Sequence, residues 1–432
     1  MTSSLLYIAS NLPSLSETFV YGELFRLRER GIHALAASVH PPERDLGHAL
    51  LDALADEAIP VYGGGVLHPL KDALLEALTR PGRAARTAGR ALVDVLGSPD
   101  VTLGCRPKVI WQMLAALALA RRTRSLSVSH IHAHMAHVPT TIAMYAARQL
   151  GITFSFTGHA NDLFRQRTLL GEKLRRASFV ACISNWHRCF YQQVVALPDE
   201  RLPIVRCGVE VPAVRRQEPD LTSPPLILSV GRLVPKKGFD VLIHSVAELL
   251  AGGQRLKCQI VGGGPQQAEL HALIHKLGVQ ESVALLGPRA NTEVKERCAN
   301  ADLFVLPCRV DPGGDRDGIP VVLMEAMAAG VCVISGDLPA IRELVRHGET
   351  GLLAPPGHVP GLTAAIRTLL DNSELRRQLG ARGRDWVHSE FSARQNIDRL
   401  LAAFEASGGI HRASAEADRT VRSAASAAVG SC

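Results

Sequence analysis

A strand, a glycine turn and a helix follow one another in the stretch Leu226-Ile-Leu-Ser-Val-Gly-Arg-Leu-Val-Pro-Lys-Lys-Gly-Phe-Asp240. Its first five residues are a short run of mostly branched apolar side chains, which is typical of a buried β-strand. Gly231 ends this run, and a helical pattern begins near Asp240. The stretch therefore predicts a strand-to-helix unit, and open α/β sheets bind their ligands at the loops of such units.

The same unit recurs through the second half of the chain. Further apolar runs are bounded mostly by glycine or proline, and they begin at Lys257, Val283, Leu303, Val331 and Gly351. Alternation of such strands with helices predicts a parallel sheet that is covered on both faces. We expect a domain over residues 226–390, followed by a helix at 391–406 that packs back on the amino-terminal domain.

The first half of the chain alternates in the same way. The amphipathic pattern of residues 17–30 predicts a helix, and six apolar runs predict strands: Leu5–Ala9, Ala34–Val39, Ala58–Tyr62, Ile131–His134, Thr153–Thr157 and Phe179–Ser184. The pattern breaks at residues 207–225, which are rich in proline and charge, and residues 407–432 lack periodicity and are predicted to be disordered. The expected fold class is α/β, with two Rossmann-like domains, 1–206 and 226–390, facing each other across a cleft.

Composition supports a globular protein of two domains. At 432 residues the chain is too long for one ordinary core, and 47% hydrophobic and 21% charged residues are typical values. The amino terminus has no basic segment of the kind that begins a signal peptide. The nine cysteines are scattered singly, so we expect free thiols and a cytoplasmic location.

The positive charge is concentrated in one segment. The net charge is +7, and residues 71–124 contain 10 Lys/Arg against 4 Asp/Glu. Within this segment, residues 108–124 are apolar with basic ends. The favoured interpretation is an internal helix with a solvated end; the alternative is contact with the anionic inner face of a membrane, where each cation contributes ~1 kcal/mol. A single patch does not favour nucleic acid as a partner.

Two carboxylates stand in or beside an apolar segment, Asp317-Gly-Ile-Pro-Val-Val-Leu-Met-Glu-Ala-Met-Ala-Ala-Gly330. Pro320 suits the start of a helix, which places Glu325 near a helix amino end. A carboxylate buried there needs a partner, because burial without one costs several kcal/mol. The partner is either a group of the protein or the hydroxyls of a ligand, and such a helix end also favours phosphate.

Arg232 and Lys237 are the cations of the loop that follows the first quoted strand. They are interpreted either as solvated charges or as groups that neutralise a pyrophosphate in the cleft, and the position of the loop at a strand end favours the second. Gly238 beside them allows close approach of the backbone.

The histidines of the first half suggest two kinds of site. His130, His132 and His134 alternate along a predicted strand, with no carboxylate or cysteine at ligand spacing, so we expect hydrogen-bonded histidines and no metal. His159 follows the next strand and is either a loop cap or part of the reaction centre.

Four motifs of the second half occur in an order that resembles the donor half of glycosyltransferase family 4, which has the GT-B fold: Gly231–Asp240, Val261–Pro265, Asp317–Gly330 and His347–Leu353. Three motifs of the first half resemble the branch of that family that builds colanic acid and other exopolysaccharides: Pro13–Phe19, His130–His134 and Ser155–Leu163. The resemblance implies a retaining transferase that moves a sugar from a nucleotide-diphosphate sugar to a lipid-linked glycan acceptor, without a metal or other cofactor.

The resemblance also implies roles for particular residues. Glu325 holds the nucleotide ribose, Asp317 contacts the donor sugar, and His159 lies at the reaction centre. The other implied donor contacts are Arg232, Lys237 and Gly231 at the diphosphate, and Gly318, Ile319, Pro320 and Gly263 at the nucleotide or sugar. The implied acceptor-side residues are Glu17, Thr18, Asn161 and Asp162. The chain departs from the family pattern at Asp317, which is one methylene shorter than the usual glutamate.

Two other functions are compatible with these motifs. Some sugar-nucleotide epimerases share the architecture and would turn over a nucleotide sugar without an acceptor. A non-catalytic nucleotide-sugar-binding subunit is the other, and the shortened Asp317 favours it slightly. Retention of Glu325, Arg232, Lys237 and His159 together favours the enzyme.

Overall fold

The computed structural model describes residues 4–14, 17–44, 48–63, 65, 67–159, 167–210 and 223–410. The strands of these residues form two six-stranded parallel sheets, one in each half of the chain. Helices flank both sheets, so the predicted α/β fold class with two Rossmann-like domains is confirmed.

The first sheet consists of β1 (Ser4–Ala9), β2 (Ala34–Ser38), β3 (Ile59–Pro60), β4 (Val128–His134), β5 (Thr153–Gly158) and β6 (Val180–Cys182). Its strand order is β3-β2-β1-β4-β5-β6. Every residue of β1 is buried, because helices cover both faces of the sheet. This is why β1 reads as a continuous apolar run and not as an alternating one.

The second sheet consists of β7 (Leu226–Val230), β8 (Lys257–Val261), β9 (Val283–Gly287), β10 (Leu303–Leu306), β11 (Cys332–Gly336) and β12 (Leu352–Ala354). Its order is β12-β11-β10-β7-β8-β9, with β7 at the centre beside β10 and β8. One continuous apolar core surrounds this sheet. The strand that begins the quoted stretch is therefore an interior strand of the second sheet, as its composition predicts.

The helices of the first domain are α1 (Thr18–Glu29), α2 (Ala49–Glu57), α3 (Leu67–Thr79), α4 (Pro81–Gly97), α5 (Arg106–Thr123), α6 (Val138–Leu150), α7 (Leu170–Arg176) and α8 (Asn185–Val194). The helices that follow are α9 (Phe239–Ala251), α10 (Gln267–Lys276), α11 (Asn291–Asn300), α12 (Val321–Ala328), α13 (Val359–Asp371), α14 (Ser373–Glu390) and α15 (Ala393–Ala406). None of the described helices combines the length and the apolarity that a membrane span requires.

The last helix joins the two domains. Val209, just after the first domain, pairs with Ser392 at the start of α15. From there α15 places Leu400 and Phe404 in the core on one face of the first sheet. The segment predicted to be disordered begins with packed residues, since Ile410 is buried in the same core; residues 411–432 and the linker residues 211–222 lie outside the described part.

The apolar segment with basic ends forms α5, an interior helix of the first domain. Its central residues are buried against α3, α4 and α6. Its basic end is neutralised inside the protein, because Arg122 Nε lies 2.6 Å from Asp72 and Arg124 pairs with the buried Glu76. The prediction of an internal helix is therefore confirmed, whereas the prediction of a solvated basic end was wrong for Arg122 and Arg124.

Candidate active site

The carboxyl ends of β7, β8 and β10 bring the predicted diphosphate ligands to one edge of the second sheet. Gly231 and Arg232 follow β7 directly, and Lys237 ends the short 3-10 turn before α9. The Arg232 side chain is exposed, whereas only 13% of the Lys237 side chain is accessible. The Arg232 cation is thus open to solvent, whereas the Lys237 cation is mostly enclosed by the protein.

Glycine in the neighbouring loop fixes the position of these cations. Gly262 has a φ of 142°, and a Cβ there would lie 2.0 Å from the carbonyl oxygen of Gly231. The Leu233 N–H donates to the carbonyl oxygen of Gly263 over 2.9 Å. The two loops stack through their backbones, and any side chain at Gly262 would push the Arg232 loop away.

Asp317 is the charge partner of two lysines. Lys237 Nζ lies 3.0 Å from Asp317 Oδ2, and Lys236 Nζ lies 3.6 Å from Oδ1. Burial raises the pKa of Asp317, but the two lysines outweigh it and hold that pKa below its ordinary value. Burial and the Arg232 charge lower the pKa of Lys237, but Asp317 outweighs both and holds it above its ordinary value. The pair is therefore ionised at neutral pH.

Lys236 and Asp315 complete this buried charge cluster, and the motifs did not single them out. Lys236 Nζ also lies 3.2 Å from Asp315 Oδ2, and both residues are buried. Lys236 is therefore a structural cation, whereas Lys237 has Asp317 as its carboxylate partner. The sequence offers no signal that separates adjacent lysines, because their roles depend on which way each side chain leaves the turn.

The start of α12 presents a row of donors beside Asp317. The backbone N–H groups of Gly318, Ile319, Val321 and Val322 make no hydrogen bond within the described ranges. Pro320, which has no N–H, stands immediately before the helix. N–H groups at a helix amino end bind anions and ligand oxygens.

Glu325 lies one turn into α12, away from the lysine cluster. Burial raises its pKa, although the Lys295 charge and a hydrogen bond from Asn291 oppose the shift. Both opposing groups belong to α11. Burial also raises the pKa of Tyr21 in α1, and the Glu325 charge adds to that shift.

The carboxyl ends of β1, β4 and β5 form the opposing edge and carry His159. Its Nε2 lies 3.3 Å from His134 Nδ1, and His134 Nε2 lies 3.0 Å from Glu23 Oε1. Phe19 packs on the His159 ring with a centroid distance of 4.6 Å. Burial and the neighbouring His134 hold the pKa of His159 well below its ordinary value, so this ring is neutral.

A ladder of hydrogen bonds continues below this group. His130 and His132 share the Ser155 hydroxyl, at 2.7 and 2.8 Å, and His132 Nε2 lies 3.0 Å from the Thr157 hydroxyl. Burial lowers the pKa of His132 well below its usual range. The prediction of buried, hydrogen-bonded histidines is confirmed for this pair.

One premise of the argument against a metal was wrong. A carboxylate does stand near these histidines, because Glu23 comes from α1, and its oxygen lies within 4.8 Å of ligand atoms of His132 and His134. Sequence spacing missed Glu23 because it lies 111 residues from His134. In the structure Glu23 accepts from the Tyr7 hydroxyl over 2.5 Å, and hydroxyl groups already contact both ring nitrogens of His132.

The acceptor-side predictions fall at the same edge. Glu17 immediately precedes α1 and Thr18 is its first residue, in the segment that follows β1. Asn161 and Asp162 lie outside the described residues. Their roles therefore rest on the motif resemblance.

Contacts between the domains close the cleft on one side. Glu343 accepts hydrogen bonds from the backbone N–H groups of Asn185 and Trp186, at 2.9 and 2.8 Å, at the start of α8. It also pairs with Arg206 over 2.9 Å. The Arg316 guanidinium lies over the Trp186 ring, next to Asp317. Trp186 and Glu343 are thus cleft residues that the motifs did not reveal.

The Glu23–His134–His159 chain predicts a tautomer that can be measured. A carboxylate only accepts, so Nε2 of His134, which faces Glu23, carries a proton. If Nδ1 of His134 carries none, it accepts from His159 Nε2–H. We expect Glu23→Gln to shift the protonated nitrogen of both rings, as seen in side-chain ¹⁵N NMR of histidine-labelled protein. Tyr7→Phe, which removes only the other hydrogen bond to Glu23, serves as the control. Unchanged ¹⁵N shifts in Glu23→Gln would show that Glu23 does not set the tautomer.

Two domains of this kind, facing each other with ligand groups on both edges, define a protein of the GT-B fold. Residues 211–386 match the family model of glycosyl transferases group 1. The second domain therefore belongs to that family, as its motifs predicted.

Two of the similar proteins are named as glycosyltransferases of colanic acid and amylovoran biosynthesis. The chain is 34% identical to the putative colanic acid biosynthesis glycosyltransferase WcaL of Salmonella typhimurium, over 48% of this chain and 51% of that protein. It is 36% identical to the amylovoran biosynthesis glycosyltransferase AmsK of Erwinia amylovora, over 42% of this chain and 46% of that protein. It thus spans about half the length of these relatives.

A solved structure has the same fold along nearly the whole chain. HepE of Anabaena, in complex with UDP, superposes with a TM-score of 0.68 at 15% identity. The superposition covers 93% of this chain and 100% of that one. The predicted resemblance to the GT-B fold is confirmed over both domains.

Proposed function

We propose that this protein is a retaining glycosyltransferase that moves a sugar from a nucleotide-diphosphate sugar to a glycan acceptor in exopolysaccharide biosynthesis. The observation that carries the proposal is the pairing of two edges. Fixed cations and open N–H groups line the edge of the second sheet, and His159 stands on the edge of the first. The names of WcaL and AmsK support the reaction and its setting, and the UDP bound to HepE supports a nucleotide donor.

The diphosphate lies, in this proposal, between Arg232, Lys237 and the start of α12. The leaving group gains negative charge as its bond to the sugar breaks, and preorganised donors stabilise that charge by about 3–4 kcal/mol each. Lys237 is ready for this role because its present partner, Asp317, is a single carboxylate 3.0 Å away. When the diphosphate binds, Lys237 shares its protons between the carboxylate and the phosphate oxygens.

Glu325 holds the nucleotide ribose. Its carboxylate lies one turn into α12, and the two groups that oppose its raised pKa come from α11. A ribose presents two adjacent hydroxyl donors, which a carboxylate accepts together. Asp317 already pairs with Lys236 and Lys237. In this proposal it holds Lys237, the cation that binds the diphosphate, in place, and it contacts the sugar on the cleft side.

The sugar is transferred with retention of configuration. The bond between its anomeric carbon and the diphosphate oxygen breaks, and the acceptor hydroxyl attacks on the same face. The acceptor proton passes to the departing diphosphate, so no covalent enzyme intermediate forms. NMR of the product tests this step, since an inverted anomeric centre would contradict it.

The acceptor is carried on a lipid and enters from the first domain, past α1 and His159. The epimerase alternative requires no acceptor. Turnover of a nucleotide sugar in the absence of any glycan would support it over the transferase.

A screen of nucleotide sugars by thermal unfolding tests donor binding. A ligand at a thousand times its Kd stabilises the folded state by about 4.1 kcal/mol, so the true donor gives a clear rise in Tm. We expect the free sugar and the free base to give much smaller shifts. Absence of a shift with every nucleotide and nucleotide sugar would overturn the proposed donor site.

A further inference from the structure

Exposed leucines form a row along one face of α3. Leu67, Leu74 and Leu78 are 80%, 60% and 68% exposed, and Leu70 is 38% exposed. Their spacing of three, four and four residues places them on one side of the helix. The opposite side of α3 packs against α5.

The neighbouring helix α4 extends this apolar surface. Leu92, Val93 and Leu96 are each more than half exposed, whereas Ala84, Ala91 and Val95 are buried. Of the twelve large hydrophobic side chains exposed in the described ranges, eight lie between Leu67 and Leu103. We call the four leucines of α3 together with Leu92, Val93 and Leu96 the leucine face. An apolar patch of this kind marks an interaction site.

Charges of opposite sign separate across these two helices. The carboxylates of residues 67–97 turn inward: Asp72 pairs with Arg122, and Glu76 and Asp94 are buried in ion pairs. The cations Lys71, Arg80, Arg83 and Arg86 are exposed. The outer surface therefore combines leucine with positive charge and lacks an exposed carboxylate over this range.

The leucine face follows the outermost strand of the first sheet, three strands away from the strand that ends in His134. The segment between β3 and α3 leaves the carboxyl end of β3, which is the edge of the first sheet that carries His134 and His159. Tyr62 in this segment packs against Trp111 of α5, with ring centroids 5.8 Å apart, and both are partly exposed. Tyrosine and tryptophan favour the boundary between water and lipid.

We propose that the leucine face docks on an anionic lipid surface, with its leucines in the acyl boundary and Lys71, Arg80 and Arg83 at the headgroups. An interfacial helix binds by this combination of buried apolar area and attraction to anionic lipids. The inference deepens the proposed function, on which it rests for the reason to dock: a lipid-linked acceptor would enter the cleft from the same membrane.

Flotation with vesicles tests this surface on the full chain. We expect binding to vesicles of phosphatidylglycerol and phosphatidylcholine in equal parts, and much less binding to phosphatidylcholine alone or at high salt. The double variant Leu74→Glu, Leu78→Glu should lower the bound fraction by at least about tenfold, because two leucines that enter the acyl boundary in this proposal become charged. Lys71→Ser with Arg80→Ser should weaken binding to the anionic vesicles only.

The matched control is Val194→Glu, which adds a charge at an exposed apolar residue outside the leucine face. Equal binding by the double variant and by the control would overturn the proposal. The proposal would also be overturned if, without lipid, the parent protein is a dimer in gel filtration and the double variant is a monomer. The leucine face would then bind a second copy of the chain. The donor-induced rise in Tm separates the two proposals. If the parent protein shows this rise but does not bind vesicles, only the docking proposal is contradicted. If it binds vesicles but shows no rise with any donor, only the proposed donor site is contradicted.

Discussion

Lys237→Met should lower the kcat of sugar transfer by about a hundredfold to a thousandfold, the usual effect of removing one fixed donor from a developing anion. The reason lies in the geometry of the buried pair. Methionine keeps the unbranched stem but removes the ammonium group that Asp317 holds 3.0 Å away. A steady-state assay with the donor found in the thermal screen measures the effect.

The same substitution should also cost stability. Asp317 then keeps Lys236, at 3.6 Å, and the thiol of Cys308, at 3.3 Å. Breaking a buried ion pair typically costs about 3–5 kcal/mol. Rates are therefore compared per folded molecule, with unfolding followed in urea. Asp317→Asn should likewise cost stability as well as activity, because Asp317 is also the counter-charge of two lysines.

Two further variants separate the proposed role of Lys237 at the diphosphate from the structural role of Lys236. Lys236→Met should lose stability with a smaller loss of kcat, since Lys236 pairs with Asp315 and Asp317 inside the protein. Lys276→Met, at an exposed position of α10, should change neither quantity. Equal losses of kcat for Lys236→Met and Lys237→Met would show that the cluster acts only through the fold.

Glu325→Gln should weaken donor binding by about tenfold to 150-fold, because a hydrogen bond to a charged group contributes about 1.5–3 kcal/mol. We also expect the variant without donor to be more stable than the parent at neutral pH. Burial raises the pKa of Glu325 in the folded state, so the ionised carboxylate lowers the free energy of unfolding. The neutral amide of glutamine has no such effect.

The pH dependence of this variant has a definite sign. The folded protein binds the Glu325 proton more tightly than the unfolded chain does, so the parent loses stability as pH rises from the ordinary glutamate pKa to the raised one. The stability gain of Glu325→Gln should therefore grow with pH over that window and stay constant above it. Donor affinity of the parent should fall as pH falls through the raised pKa.

Thermal unfolding with and without donor, across that pH range, measures both effects. Glu296→Gln, at an exposed position of α11, is the control and should follow the parent. If Glu325→Gln keeps the full donor-induced rise in Tm, Glu325 does not bind the ribose. A variant less stable than the parent at neutral pH would show that Glu325 is a structural carboxylate.

The strands of both sheets were predictable because a strand covered on both faces must be apolar along its length. The runs at 226–230 and 257–261 coincide with β7 and β8, and β1 differs from its prediction by one residue. The glycine turns after these strands located the ligand edge for the same local reason, since close stacking of loops at Gly262 excludes any side chain. The candidate donor residues were found from such local patterns and from the motif order.

The sequence by itself thus determined two parallel sheets, the edges at which a ligand is expected, and the set of charged residues at those edges. Only the tertiary structure decided which charges pair. It placed Glu23 beside His134, bound Asp317 to two lysines, and buried α5 while leaving the leucines of α3 and α4 outside. The physical reason is that periodicity shows which residues share a face of one element, whereas the partner of that face comes from residues far away in the chain.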